Sequence, residues 1–174
     1  MLSVRMQNAL NAQINAELWS AYLYLSMSMA ATDKGLKGIA NWFAIQFKEE
    51  QDHAQIFINY IHSRGGRVTL APIAEVDTEW DSALAMFEQT LTHERKVTSL
   101  INDLYNLAIE EKDHATKNML DWFIDEQVEE EESARDMIFA AESVEGDKYG
   151  MYQLDKELAA RTYTQASPLA SGAE

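Results

Sequence analysis

Cysteine is absent from this chain, and 174 residues carry only two prolines and seven glycines. Without cysteine there are no disulfides, no thiolate zinc knuckles and no thiol chemistry. The absence is compatible with a reducing compartment. No run of about 18 consecutive apolar residues occurs, so no segment is expected to span a membrane. Basic residues are scarce, 14 Lys and Arg against 29 Asp and Glu, for a formal net charge of −15. Sequence-independent nucleic-acid binding needs a basic surface, so a nucleic-acid partner is not expected. An acidic surface keeps a protein soluble and also attracts cations. The opening Met1-Leu2-Ser3-Val4-Arg5 turns amphipathic at once, with no charged region leading into an apolar core. No secretory signal is therefore expected, and the chain reads as cytoplasmic.

Sparse punctuation leaves room for long helices. Apolar residues recur at i, i+3, i+4 and i+7 over Val4–Thr32, Leu36–Arg64, Asp81–Glu111 and Ala115–Ser143. The breaks fall at Asp33-Lys34-Gly35, Gly65-Gly66, Lys112-Asp113 and Glu145-Gly146-Asp147, residues that start and stop helices well. Each helix of this length would be about 45 Å long. A weaker fifth pattern covers Lys148–Arg161 and leads into a polar tail containing Ser, Pro and Gly. Residues 1–162 are expected to form one domain and residues 163–174 a flexible C-terminal tail.

Connection lengths constrain the topology. The first-to-second and third-to-fourth links are short, so each joins antiparallel neighbours. Between Gly65 and Trp80 no helical pattern exists. A stretch of about 15 residues, extended at roughly 3.3 Å each, can run the length of a bundle. The expected fold is therefore all-α: a four-helix bundle of the ferritin-like architecture, with one long crossover and a short fifth helix.

Polar residues break the apolar stripes at particular places. At about 100° per residue, Glu17 lies about 20° from Leu10, at the centre of the stripe that Leu10, Ile14, Ala21 and Leu25 define, and Tyr24 shares that face. On the second helix Glu50 and His53 fall within about 40° of Ile39. On the third, Phe87, Leu91, Ile101 and Tyr105 bracket Glu94; on the fourth, Phe123, Ala134, Met137 and Ala141 bracket Gln127 and Glu130. A buried carboxylate is too costly to keep ionised unless a cation or strong hydrogen bonds compensate it. Several on converging helices point to a metal site.

Spacing sharpens the point. Glu17 to Glu50 and Glu94 to Gln127 are both 33 residues, and Glu17 to His53 and Glu94 to Glu130 are both 36. Two helix hairpins related by a pseudo-twofold would give that repeat, and a two-metal carboxylate site needs such symmetry. Glu50 and His53, at i and i+3, are neighbours on one helix face. Carboxylate-rich ligation with one imidazole suits iron or manganese better than a structural zinc site. Taken singly, each piece has a plainer reading. A lone Glu-x-x-His is common, and the run Glu129–Glu132 is by default a solvated acidic face. His62, His93 and His114 lie off the stripes or at helix ends, and Trp19, Trp42 and Trp122 read as packing. Four helices contributing at mid-length with matched spacing outweigh these readings.

Three segments carry a family resemblance: Ala16-Glu17-Leu18-Trp19-Ser20-Ala21-Tyr22-Leu23-Tyr24, Glu49-Glu50-Gln51-Asp52-His53-Ala54 followed by Arg64-Gly65-Gly66, and Trp122-Phe123-Ile124-Asp125-Glu126-Gln127-Val128-Glu129-Glu130. They resemble the bacterial non-haem ferritins, over nearly the whole chain. The resemblance implies a homo-24-mer forming a hollow shell, oxidation of Fe²⁺ by O₂ or H₂O₂ at a di-iron centre in each bundle, and storage of ferric oxyhydroxide inside. It implies Glu17 and His53 as terminal ligands of one iron, Glu50 as the bridge, and Glu94 for the second iron with Gln127 beside it. It also implies Tyr24 as a hydrogen-bonding partner of the site and an electron source. Glu130, with Glu49, Glu126 and Glu129, would hold a third, transient iron.

The chain also departs from related patterns. Asp52 stands where the haem-containing bacterioferritins carry Met, so no haem is expected. The fourth helix reads Gln127-Val128-Glu129-Glu130 where those proteins repeat Glu-x-x-His, which favours a centre that hands iron onward. Rubrerythrin-like peroxidases need a cysteine-ligated iron module that this chain cannot build. Lys117 and Leu120 occupy the positions of acidic channel residues in animal ferritins. Two other classes remain on the sequence alone: a soluble di-iron oxygenase or peroxidase, and a non-catalytic iron buffer.

Overall fold

A computed structural model describes residues 2–170, and the chain divides into two compact units. One joins the segment up to Trp80 with the segment from Gly146; the other is Asp81–Glu145. The described residues form six helices: α1 (Val4–Asp33), α2 (Lys37–Ser63), α3 (Ala83–Glu110), α4 (His114–Ser143), α5 (Lys148–Leu158) and α6 (Ser167–Ala170). The first four lie close to the bounds read from periodicity, and the fifth ends at Leu158 rather than Arg161. Among the described residues no helix is long and apolar enough to cross a membrane.

Local chemistry sets the helix ends. The side chains of Ser3, Ser82, Asp113 and Asp147 accept from the Met6, Ala85, Thr116 and Tyr149 amides, satisfying donors that a helix start leaves open. Gly35 and Gly65 take φ of 77° and 69°. The next amides, Leu36 and Gly66, donate back to Ala31 and Ile61 carbonyls at 3.0 and 2.9 Å, closing α1 and α2 in Schellman turns. The α3 end uses the same wrap with Lys112 at φ 55° and Asp113 N donating to Ala108 O at 2.9 Å. A side chain in that left-handed conformation costs roughly 1–2 kcal/mol.

In the first unit α1 and α2 form an antiparallel hairpin. Leu10, Ile14, Ala21, Leu23 and Met27 are buried with Ile39, Phe43, Phe57 and Ile61. Leu25, expected in the stripe, is only half-buried. The segment after α2 runs along α1 in the same direction, tied by side chains on one polar face. Asn11 Nδ2 donates to Arg67 O (3.0 Å), Asn15 Nδ2 to Pro72 O (3.2 Å), Trp19 Nε1 to Glu75 O (3.2 Å) and Ser26 Oγ to Asp77 O (2.7 Å). In return Gln7 Oε1 and Asn11 Oδ1 accept from the Arg67 and Thr69 amides. The crossover lacks a ladder of its own, so α1 satisfies its backbone.

Helix α5 docks on the start of α2. Leu36, at the α2 N-cap, makes no side-chain cap. Asp155 Oδ1 replaces it, accepting from the Gly38 and Ile39 amides at 2.8 and 2.9 Å. A carboxylate there also meets the positive end of the helix dipole. The approach is close enough that a Cβ on Gly38 would lie 1.5 Å from Asp155 O. Beyond α5, Asn41 Nδ2 donates to Leu158 O and Arg161 O. Tyr163 Oη and Ala166 N both donate to Asp52 Oδ2, at 2.7 and 2.9 Å. Burial first, and the Asp52 carboxylate second, push the Tyr163 phenol up to about 12. Of the expected tail, these contacts involve residues 163 and 166, α6 follows, and 171–174 lie outside the described residues.

In the second unit α3 and α4 pair antiparallel, burying Phe87, Val97, Ile101, Leu104 and Ala108 with Leu120, Phe123, Ala134 and Ala141. Thr98 Oγ1 donates to Glu131 Oε1 at 2.9 Å and Tyr105 Oη to Asp121 Oδ1 at 3.0 Å.

The Gly38 contact yields a test. Gly38→Ala should force α5 away from α2 and cost about 2 kcal/mol, lowering the thermal midpoint by roughly 4–8 °C for a chain of this size. Asp155→Ala removes only the cap and should cost about 1 kcal/mol. Calorimetry that found Gly38→Ala no less stable than Asp155→Ala would refute the close approach.

Candidate metal centre

The α1–α2 hairpin brings three sequence-chosen residues together. Glu17, Glu50 and His53 are only 1, 2 and 2% exposed. Each offers a ligand atom within 4.8 Å of the others. His53 Nδ1 lies 3.4 Å from Glu50 Oε2. Gln13 Nε2 donates to Glu17 Oε1 at 2.8 Å, whereas Glu17 Oε2 is buried with no hydrogen-bond partner among the described residues. A buried carboxylate oxygen without a donor is costly in a metal-free protein. A cation between these three groups would compensate it, and two carboxylates with one imidazole are a donor set that iron accepts. The Tyr24 ring is fully buried on the same hairpin, its centroid 6.1 Å from that of Phe43 in a stacked arrangement.

The α3–α4 hairpin pairs the next two at the same separation. Gln127 Nε2 donates to Glu94 Oε2 at 3.2 Å, with Glu94 O and Thr98 Oγ1 each at 3.3 Å. Both residues are buried. The 33-residue step thus does the same work in each unit, since an antiparallel hairpin sets which positions face each other. Gln127 also lines a cavity of about 250 Å³ with Thr98, Ile101, Ile124 and Glu131. Of the glutamate run, Glu130 is buried, Glu129 and Glu132 are exposed, and Glu131 is intermediate. Glu126 is half-buried. Glu49 has its carboxylate against Arg161 Nη2, at 3.2 and 2.9 Å.

Some neighbours were not anticipated. Gln13 and Gln46 are buried four residues before Glu17 and Glu50, one helical turn away on the same faces. That offset was legible, but an amide in a stripe carries less contrast than a carboxylate. Burial, and secondarily the Lys96 ammonium, push His93 down to about 4, so it is neutral near pH 7. Lys117 lies 2.9 Å from both Asp121 oxygens. Their mutual hydrogen bond raises the lysine pKa and lowers the aspartate pKa.

Helical hairpins that bury carboxylates, an imidazole and an amide at matched positions define a class, all-α proteins with a carboxylate-rich candidate metal centre. Comparison with known proteins makes the class specific. The ferritin-like domain model matches residues 7–142. The bacterial non-heme ferritin of Bacteroides fragilis is 41% identical over 161 residues, 92% of this chain and 100% of its own length. That of Staphylococcus aureus strain USA300 is 36% identical over 165 residues, 95% and 99% respectively. Among solved structures, an engineered closed form of the Archaeoglobus fulgidus ferritin is 46% identical with a TM-score of 0.93, covering 94% of this chain and 100% of that one. The open-pore ferritin of the same archaeon is 47% identical with a TM-score of 0.91, covering 93% and 100%. The chain belongs to the ferritin-like family and has its four-helix fold with one long crossover and a short C-terminal helix. Family and fold support iron storage.

Charge clustering at Glu17 and Glu50 has a measurable consequence without metal. Glu17→Gln keeps an acceptor for Gln13 and removes a buried carboxylate beside Glu50, so it should stabilise the metal-free protein by about 1 kcal/mol. Calorimetry in chelator would read this as a higher midpoint. A lower one would mean that the carboxylate is compensated without a cation.

Proposed function

We propose that the protein is a ferroxidase that stores iron. Fe²⁺ is its substrate, with Glu17, Glu50, His53, Glu94 and Gln127 as the residues that would hold two irons and Glu130 as the residue that would hold a third, transient one. The burial of Glu17, Glu50 and His53, with ligand atoms within 4.8 Å of one another in a ferritin-like chain, carries this reading. Glu50 would bridge the two, Glu17 and His53 would hold one, and Glu94 would hold the other with Gln127 beside it. Two Fe²⁺ each give up one electron, and O₂ or H₂O₂ takes the pair. Hard carboxylate ligands favour Fe³⁺ over Fe²⁺. The weak amide ligand Gln127 eases departure of the ferric product, which is stored as oxyhydroxide. Tyr24, buried on the α1–α2 hairpin, would hydrogen-bond to the centre and supply an electron in place of one from iron.

In this reading the chain assembles into a hollow homo-24-mer in the cytoplasm. Two solved relatives are described as open-pore and closed-form ferritins, so pore width is a variable worth measuring alongside subunit number. Size-exclusion chromatography with iron loading tests shell and storage together. Stopped-flow absorbance after Fe²⁺ is added in air tests the oxidation. A non-catalytic buffer would bind Fe²⁺ without a fast phase, and an oxygenase or peroxidase would not retain an iron core.

Ligand variants rank the roles. Glu50→Ala should slow the fast phase at least about tenfold more than Glu94→Ala, because losing a shared ligand weakens both irons. An initial rate equal to the parent for Glu50→Ala would rule out the assigned centre. Glu130→Ala should leave the first two irons bound yet change turnover and the iron-to-oxidant ratio, while exposed Glu132→Ala should match the parent. Indistinguishable kinetics for these two variants would return Glu130 to a plain structural role.

A further inference from the structure

Packing alone does not fix how the Gln127 amide is turned. Gln127 lines the cavity of about 250 Å³ in the α3–α4 unit, with Thr98, Ile101 and Ile124 among its other walls, so the amide has room to rotate. Hydrogen bonds therefore set its orientation. Nε2 donates to Glu94 Oε2 at 3.2 Å, to Glu94 O at 3.3 Å and to Thr98 Oγ1 at 3.3 Å. A backbone carbonyl can only accept, so the terminal atom that faces Glu94 O is the nitrogen. Each contact is at the long end of the N–H···O range, and no single one holds the amide. The two protons on that nitrogen serve two residues, Glu94 and Thr98.

Thr98 meets Gln127 as an acceptor because its own proton is committed elsewhere. Its hydroxyl donates to Glu131 Oε1 at 2.9 Å, the shorter bond and one made to a carboxylate. Glu131 is held in turn by Arg135 Nη1 at 3.3 Å, a pair whose members are 49% and 21% exposed and which adds little by itself. The chain has a direction: Glu131 takes the Thr98 proton, Thr98 Oγ1 takes a proton of Gln127, and Gln127 gives its other proton to Glu94. An amide nitrogen has no lone pair to offer a cation, so this arrangement leaves Gln127 Oε1 as the atom able to meet a metal. We propose that Thr98 is a positioning residue of the centre, fixing the Gln127 amide and, through it, the Glu94 carboxylate. The inference deepens the ferroxidase reading and rests on it for Glu94 as a metal ligand. Without the hydroxyl one amide proton loses its acceptor, and water in the cavity is the replacement. Gln127 then turns from Glu94, which loses a donor.

Co²⁺ titrated into the intact, metal-free protein tests this without oxidation chemistry. Thr98→Val keeps the side-chain shape and removes the hydroxyl. It should weaken the Co²⁺ site that Glu94→Ala abolishes by about tenfold, as loss of an outer-shell partner does, and change the site that Glu17→Ala abolishes far less. Thr98→Ser returns the hydroxyl and should bind like the parent. Crystals of metal-free Thr98→Val should show Gln127 Nε2 withdrawn from Glu94 Oε2 toward the cavity. Parental Co²⁺ affinity in Thr98→Val, or Gln127 unmoved in those crystals, overturns the proposal. So does an equal loss at both sites that Thr98→Ser fails to restore, which marks a purely structural role. Failure of the centre itself looks different: the parent would hold no Co²⁺ that Glu94→Ala releases, while the place of Gln127 in the metal-free crystals would still decide the part played by Thr98.

Discussion

Burial of carboxylates that cannot all be satisfied by protein donors is the constraint on which the rest depends. Apolar residues in place of Glu17 and Glu50 would give a more stable hairpin, since buried charge is retained against a desolvation cost of several kcal/mol. The helices of the hairpin span 30 and 27 residues, and Schellman turns close both of them. Gln13 meets one oxygen of Glu17 and leaves the other open. Incomplete satisfaction is what separates a candidate cation site from a polar network that holds itself together.

Much of this was legible from periodicity alone. The helix bounds, the choice of Glu130 over Glu129 and Glu132, and the pairing of Glu17 with Glu50 and of Glu94 with Gln127 all follow from 100° per residue and two antiparallel hairpins. What was not legible has a common physical character. Asp155 capping α2, Arg161 on Glu49 and Tyr163 on Asp52 join residues more than 100 positions apart through polar atoms. No repeat in the sequence marks such pairs. Asp155 reads as one more acidic residue on a weak helix, and only the missing cap at Leu36 hints that something must reach it. The polar face of α1 was equally silent. Gln7, Asn11, Asn15 and Trp19 recur every four residues, yet a polar stripe is normally read as facing water.

The two units solve the same pairing problem with different economy. In α1–α2 the turn uses glycine at its left-handed position; in α3–α4 it uses Lys112, accepting strain for a side chain. The second unit is also tied by side chains on its own surface, Thr98 to Glu131 and Tyr105 to Asp121, whereas the first recruits the crossover and the C-terminal segment as outer layers.

The crossover shows what such a layer does for a segment with neither helix nor strand. Residues 64–80 are mostly exposed, and by that measure would be the natural site of cleavage by a protease, which must draw an extended chain into its own groove and pair with its carbonyls. Here the carbonyls of Arg67, Ala71, Pro72, Glu75 and Asp77 already accept from α1 side chains. To be digested, the segment would first have to peel away from a helix whose opposite face is locked into the hairpin core. The irregular backbone of the crossover is therefore not loose backbone, and what holds it is the helix it lies against.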